Sequence, residues 1–369
     1  MTEAFNNLDE RTIRDVTRAF RFPGEFVTAH RFGSGHINDT WRVVFHHAGV
    51  PSHFILQRIN THIFTRHAAL MENIQRVTAH LALKVEDQPD NRRRVLSLVP
   101  TTAGNAFHVD GNQWCWRAYR FIEDARTYDT VESPQQAYQA ARAFGCFQQM
   151  LADLPAPRLH DTIPDFHHTP KRFQALERAI GADVANRAIL AKEEIAFAQA
   201  HSDIAHVLLD LGLPERVTHN DTKFNNVMLD DATGEGICVI DLDTVMPGLA
   251  LYDFGDMVRT ATSPAQEDER DLSKVTMQFP MFEALVRGYL SAAGGFLSAA
   301  EKQYLAFSGK LITFEQGVRS LTDYLAGDVY YKVSREGHNL DRCRTQFKLI
   351  ESIEAQEDKM QRLVESVAL

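Results

Sequence analysis

The chain has 369 residues, a formal net charge of -10 and 44% hydrophobic residues, enough for one large or two ordinary packed domains. The acidic balance weighs against a nucleic-acid partner, and no apolar run approaches membrane-spanning length. Four cysteines, Cys115, Cys146, Cys238 and Cys343, stand far apart without metal-type spacing, which predicts free thiols in a soluble, cytoplasmic protein.

Leu8 to Phe20 patterns as an amphipathic helix with Ile13, Val16 and Phe20 on one side. Three strands are expected next, Phe26 to Phe32, Thr40 to Phe45 and Phe54 to Ile59. Between the first two lies Gly33-Ser34-Gly35-His36-Ile37-Asn38. A hairpin uses such residues, and they can equally fold over phosphates and donate backbone N–H groups. On the third strand, alternation puts Gln57 and Arg58 on opposite faces, so only one of them can point at a ligand. A helix is expected from Thr65 to Leu83, with Leu70, Ile74, Val77 and Leu81 as its buried stripe. Its Glu72 either partners a ligand-binding strand or pairs with Arg76 at i,i+4. Asn91 to Arg94 reads as a solvated strand entrance, and Trp114 to Ile122 alternates as a strand.

After Pro134 the pattern is mainly helical, over Gln135 to Leu151, Lys171 to Ala179 and Asp183 to Leu211. The intervening His167 and His168 read as surface or loop residues. The polar string His219-Asn220-Asp221-Thr222-Lys223-Phe224-Asn225-Asn226 follows. Beyond it, Val227 to Leu229 and Ile237 to Ile240 form a hairpin that returns Asp241 beside Asn226. Phosphoryl transfer from a nucleotide needs a carboxylate to deprotonate the attacking hydroxyl and hard oxygens to hold magnesium. Asp221 fits the first requirement, and Asn226 with Asp241 fits the second, while His219 reads as scaffold. Met246-Pro247-Gly248 reads as a turn, Asp253 as the cap of a helix through Arg259, and Asp256 with Arg259 as a structural pair. Further helices are expected around Glu267 to Ala293, Ser298 to Leu325 and Ser334 to Val364. Arg319 and Asp323 share one helix face, either as contacts for a hydroxyl-rich acceptor or as an ion pair.

The spacing His219-x-Asp221-x-x-x-x-Asn226, with Lys223 two residues after the aspartate, is that of the protein-kinase catalytic loop. Asp241-Leu242-Asp243 replaces Asp-Phe-Gly, no Ala-Pro-Glu follows, and this variant resembles the aminoglycoside phosphotransferase and choline kinase group. Within that group, Asn225-Asn226-Val227-Met228-Leu229-Asp230 and Ile240-Asp241-Leu242-Asp243-Thr244-Val245-Met246-Pro247-Gly248 look most like N-acetylhexosamine 1-kinases. The resemblance implies an α+β, bilobal protein-kinase-like fold. Its small antiparallel-sheet N-terminal lobe would span residues 1–122, with a hinge at its end, and its larger helical lobe residues 123–369.

It also implies ATP and Mg2+ as cofactors, with Gly33, Ser34, Gly35, His36 and Asn38 around the phosphates and adenine against the backbone near Ile122 and Glu123. Protein kinases carry a lysine on the third strand; here Gln57 or Arg58, with Glu72 as partner, takes that place. Lys223 would offset developing phosphate charge. Asp221, Arg319, Asp323 and Tyr324 would meet a small-molecule acceptor, an amino sugar phosphorylated at its anomeric hydroxyl. Two other readings stay open: a kinase of choline, homoserine or an aminoglycoside, and a nucleotide-binding scaffold without turnover.

Overall fold

The computed structural model describes residues 8–33 and 37–368, so Ser34, Gly35 and His36 lie outside the described residues. Contacts divide the chain into two compact units, Met1–Ala125 and Arg126–Leu369.

In the first unit, Asp9 caps the helix Glu10–Thr17 by accepting the Thr12 amide, and Ile13, Val16 and Phe20 are buried. Glu25–Arg31, Asp39–His47, Val50–Ile59, Cys115–Arg120 and His108–Val109 form one antiparallel sheet in that order. One sheet face carries Trp41, Val43, Phe45, Phe54, Leu56, Trp116 and Ala118, which pack with Ile13 and Val16 into a single cluster. The helix His67–Lys84 buries Leu70, Ile74, Val77 and Leu81. Asn91–Arg94 is a helical turn rather than a strand entrance, because Arg93 reaches back to donate to the carbonyls of Glu123 and Asp124.

The second unit is built on the helices Pro134–Leu151, Thr169–Ala182, Ala250–Ala261, Phe279–Ala293, Leu305–Leu325, His338–Glu354 and Glu357–Ala368, around one extensive core. The long helix expected from Asp183 to Leu211 is instead broken into short turns around Lys192–Ala200. Asp183 adopts a left-handed conformation and its carboxylate accepts the amides of Arg187 and Ala188, which fixes a turn where a helix would run on. Helix Phe279–Ala293 starts later than expected, with Pro280 in its first turn. Ser298 caps Ala299–Gln303 through a reciprocal pair with Glu301. The last expected helix is two, preceded by a loop over residues 326–337.

Two small ladders in this unit bracket residues 219–226. Arg216–Thr218 leads in, paired antiparallel with Met246–Gly248, so the expected turn at Met246-Pro247-Gly248 is a strand. Val227–Asp230 leads out and pairs with Gly236–Val239 in the expected hairpin. Among the described residues, no helix is long and apolar enough to cross a membrane.

Candidate active site

Asn220 and Asp241 both sit in left-handed backbone conformations, at φ 65° and 58°. Such strain persists only where surroundings over-determine it, and here they do. The Asn220 amide donates to Asp253 Oδ1 at 2.7 Å, its carbonyl meets His167 Nε2 at 3.0 Å, and its side-chain Nδ2 donates to the Thr244 carbonyl at 2.9 Å. His219 is fully buried, its ring edge-on to Phe144 and Phe147. Its Nε2 donates to the Ile240 carbonyl at 2.9 Å, and its Nδ1 accepts the Asp221 amide. The imidazole therefore ties the residue before Asp241 to Asp221, a scaffolding role.

Within the loop, Lys223 Nζ lies 3.1 Å from Asp221 Oδ1, and Asn226 Nδ2 donates to the Asp221 carbonyl and more weakly to its Oδ2. Burial acts to raise the Asp221 carboxyl, but Lys223, foremost among the opposing groups, holds it below the usual carboxylate range. The same pairing raises the Lys223 ammonium. Ile240 N donates to the Asn226 carbonyl at 2.9 Å, so the hairpin brings Asp241 back toward Asn226. With its Nδ2 spent on Asp221, the Asn226 amide keeps its oxygen for a ligand. That oxygen and a carboxylate are a donor set that suits magnesium, which binds few protein oxygens and keeps its waters. Among the described residues, no group of three or more His, Cys, Asp or Glu is gathered for a metal.

Asp253 is not a helix cap: it stands in the first turn of Ala250–Ala261, fully buried, and its carboxylate accepts the amides of His219 and Asn220 and the Gln148 side chain. Its own carbonyl accepts the Thr222 hydroxyl. Tyr289 donates to Gln148 behind it. Burial raises the Asp253 carboxyl, while those amide bonds pull the other way. Arg259 pairs with Asp256 and Glu267, and these charges reach Lys223 electrostatically.

His167 is a second departure from expectation. It is buried, with Nδ1 2.8 Å from Glu315 and Nε2 against the Asn220 carbonyl, while His168 remains a helix-capping loop residue. One turn beyond Glu315, Arg319 stacks over the Phe166 ring at 5.0 Å and, among the described residues, pairs with no carboxylate. Arg172 donates to the Phe166 carbonyl nearby. Asp323 does not pair with Arg319; its oxygens accept the amides of Val329, Tyr330 and Tyr331 and the Asn339 side chain, which fixes the following loop. Tyr324 is buried under the Arg187 guanidinium, 4.7 Å from its ring. Both side chains thus have partners within the fold.

In the first unit, Arg58 is on the core face of its strand, 4% exposed, paired with Asp39 and stacked over Trp114. Gln57 is on the other face, donating to Thr40 and accepting from Arg117 Nε at 2.9 Å. Arg117 sits directly opposite Gln57 in the sheet register and is 1% exposed. This cation was legible as the residue between Trp116 and Ala118 in an alternating strand. Asn38 accepts the Asn60 amide, and Gly33 has φ 80° with open space where a side chain would be. Ile122 is buried; the Glu123 side chain meets His53, and its carbonyl accepts Arg93 Nε at 3.0 Å. Glu72 is exposed and, with Met71, Gln75, Asn105 and Phe107, lines a cavity of about 720 Å³.

Solved structures share this fold. The microcompartment-associated aminopropanol kinase matches with a TM-score of 0.64 and 17% identity, over 95% of this chain and 98% of that one. Spectinomycin phosphotransferase APH(9)-Ia, solved with ADP and spectinomycin, gives 0.61 and 11%, over 95% and 99%. Choline kinase from Cryptosporidium parvum gives 0.54 and 14%, over 97% and 99%. The α+β, protein-kinase-like fold is thus established. The family model described as APH, phosphotransferase enzyme family, matches residues 28–294, a span that includes the whole loop from His219 to Asp243, and the chain belongs to that family.

Proposed function

We propose that the protein is an ATP- and magnesium-dependent small-molecule kinase that phosphorylates the anomeric hydroxyl of an N-acetylhexosamine, N-acetylglucosamine or N-acetylgalactosamine. The observation that carries the reading is the Asp221 carboxylate, held ionised beside Lys223 and Asn226 in a loop pinned from every side. The sugar oxygen bonds to the γ-phosphorus as the bond from that phosphorus to the ADP oxygen breaks, and the hydroxyl proton passes to Asp221. Lys223 offsets charge gathering on the transferred group. Asn226 and Asp241 would hold Mg2+, whose charge neutralises phosphate oxygens when bound. Gln57 and Arg117 take the place of the strand lysine, the first giving an amide and the second the charge.

The acceptor side favours a neutral, hydroxyl-rich molecule over a cation such as choline or an aminoglycoside. Arg319 and Arg172 lie against Phe166, one over its ring and the other on its carbonyl, with the Glu315 carboxylate acting on both electrostatically but making no direct ion pair with either among the described residues. Guanidiniums left in that state donate to hydroxyl and carbonyl oxygens and repel a cation.

The test is ATP turnover with magnesium against N-acetylglucosamine, N-acetylgalactosamine, glucose, choline, homoserine and kanamycin, with phosphorus NMR of the product. A hexosamine 1-phosphate resonance is the expected result. Turnover with choline or kanamycin alone would discard the sugar, and ATP binding without turnover of any acceptor would discard the kinase.

A further inference from the structure

His167 lies buried between two groups that can only accept hydrogen bonds in their usual states. Its Nδ1 is 2.8 Å from a Glu315 carboxylate oxygen, and its Nε2 is 3.0 Å from the Asn220 backbone carbonyl. A neutral imidazole has one N–H and can serve one of them; serving both takes the doubly protonated ring. Glu315 also accepts the Thr169 hydroxyl at 2.7 Å, so two donors converge on its carboxylate and favour the charged form. The two ends of this bridge differ in kind. Glu315 belongs to the helix Leu305–Leu325, one turn before Arg319, while Asn220 immediately precedes Asp221.

We propose that His167 is a positioning residue that, as an imidazolium, ties the helix carrying Arg319 to the catalytic loop and so sets the Asp221 carboxylate for transfer. The proposal rests on the kinase reading above, and it adds an alkaline limit to the reaction. Each element packed on the ring contributes to its balance. Glu315 and Arg319 come from the helix Leu305–Leu325, and Tyr252 from Ala250–Ala261, its ring 5.2 Å away. Thr169 and Arg172, from Thr169–Ala182, act through Glu315. Burial, the largest single influence, acts with Arg319 to lower the imidazole, but the charge and hydrogen bond of Glu315 together with the Asn220 carbonyl act to raise it, and the net direction is upward. A raised histidine keeps its bridge at low pH and loses it as pH rises through the folded value, so kcat should fall on the alkaline side.

Three measurements on the full chain test this. Imidazole nitrogen NMR of the wild type should show His167 doubly protonated at pH 7, with the Asn220 and Asp221 amide resonances following its titration. His167→Gln should lower kcat by about ten- to a hundredfold, with KM for ATP changed less than about twofold, and should lack the alkaline limb. Glu315→Gln should fold with the bridge weakened and move that limb to lower pH by about one to two units. A neutral His167 at pH 7, or amides of Asn220 and Asp221 blind to its titration, overturns the proposal whether or not any acceptor turns over. An alkaline limb identical in wild type and Glu315→Gln also overturns it, even if His167→Gln does not fold. Absence of turnover on every acceptor sinks the kinase reading separately, and the amide titration then decides the coupling alone.

Discussion

Asp253 and Asn220 are joined by a 2.7 Å hydrogen bond from the Asn220 amide to Asp253 Oδ1, and the second oxygen of that carboxylate holds the His219 amide at 2.9 Å. One buried side chain thus fixes the backbone amides of the two residues that precede Asp221. Asp253→Asn replaces one acceptor by an amide group facing another donor. We expect a loss of about 2–4 kcal/mol, read by urea unfolding, because the site is buried and the lost bonds are charge-assisted. In the folded fraction kcat should drop at least about tenfold. An Asp253→Asn protein with unchanged kcat would mean that the loop holds its shape without this anchor.

Asp221 and Lys223 make a prediction with a sign. The Asp221 carboxyl is held below its usual range, so the ionised base is lost only as pH falls through that lowered value, and the acid limb of kcat should lie low. Lys223→Met removes the ammonium that opposes burial, so the limb should move to higher pH while kcat falls. Asp221→Asn should abolish turnover and leave ATP binding intact. Measured pH–rate profiles of the wild type and Lys223→Met with the same acid limb would show that the 3.1 Å pair does not control the base.

The catalytic loop was legible in the sequence because its chemistry is local: a hairpin of four-residue strands brings Asp241 back to Asn226 whatever surrounds it. The antiparallel sheet followed from alternation, and the helix Pro134–Leu151 from its apolar stripe. What escaped depends on distant partners. Nothing within several residues of His167 announces Glu315, 148 positions away, or the Asn220 carbonyl. Asp253 looked like a cap because it opens a helix, yet its partners are the His219 and Asn220 amides of the loop and Gln148 on another helix. Asp323 looked available to Arg319 at i,i+4, but three backbone amides in the next loop claim it first. The break after Ala182 turned on a left-handed Asp183, a choice that periodicity does not register.

Gln57, Arg58 and Arg117 separate by face. Arg117→Leu should raise KM for ATP by about tenfold or more, since it removes the buried cation bonded to Gln57. Arg58→Met should leave KM for ATP near the wild-type value and lower stability by roughly 1–3 kcal/mol, as the Asp39 pairing and the stack on Trp114 are lost. Steady-state kinetics with thermal unfolding checks both. The reverse pattern, with Arg58 controlling KM and Arg117 only stability, would put the wrong face of the strand against the nucleotide.

Gly248 shows how tightly the loop is built. A Cβ at this position would lie 2.4 Å from Thr218 Oγ1 and 3.1 Å from Asn220 Oδ1, two atoms that are themselves hydrogen-bonded at 3.0 Å. The strand Met246–Gly248 can approach Arg216–Thr218 there only without a side chain. Gly248→Ala should cost about 1–3 kcal/mol through overpacking and should lower kcat, because the group displaced is a side chain bonded to that of the left-handed Asn220. Thr218→Ala alone removes the Oγ1 clash partner and its bond to the Met246 carbonyl. In the double variant the new methyl group loses its severe 2.4 Å clash and keeps the 3.1 Å approach to Asn220 Oδ1 and an ordinary 3.6 Å contact with the Cβ at position 218, so the two losses should be less than additive in a double-mutant cycle. Strict additivity, with kcat of Gly248→Ala at the wild-type level, would show that the ladder can part locally without disturbing Asn220, and that the strain at that residue is sustained by Asp253, His167 and Thr244 without Thr218.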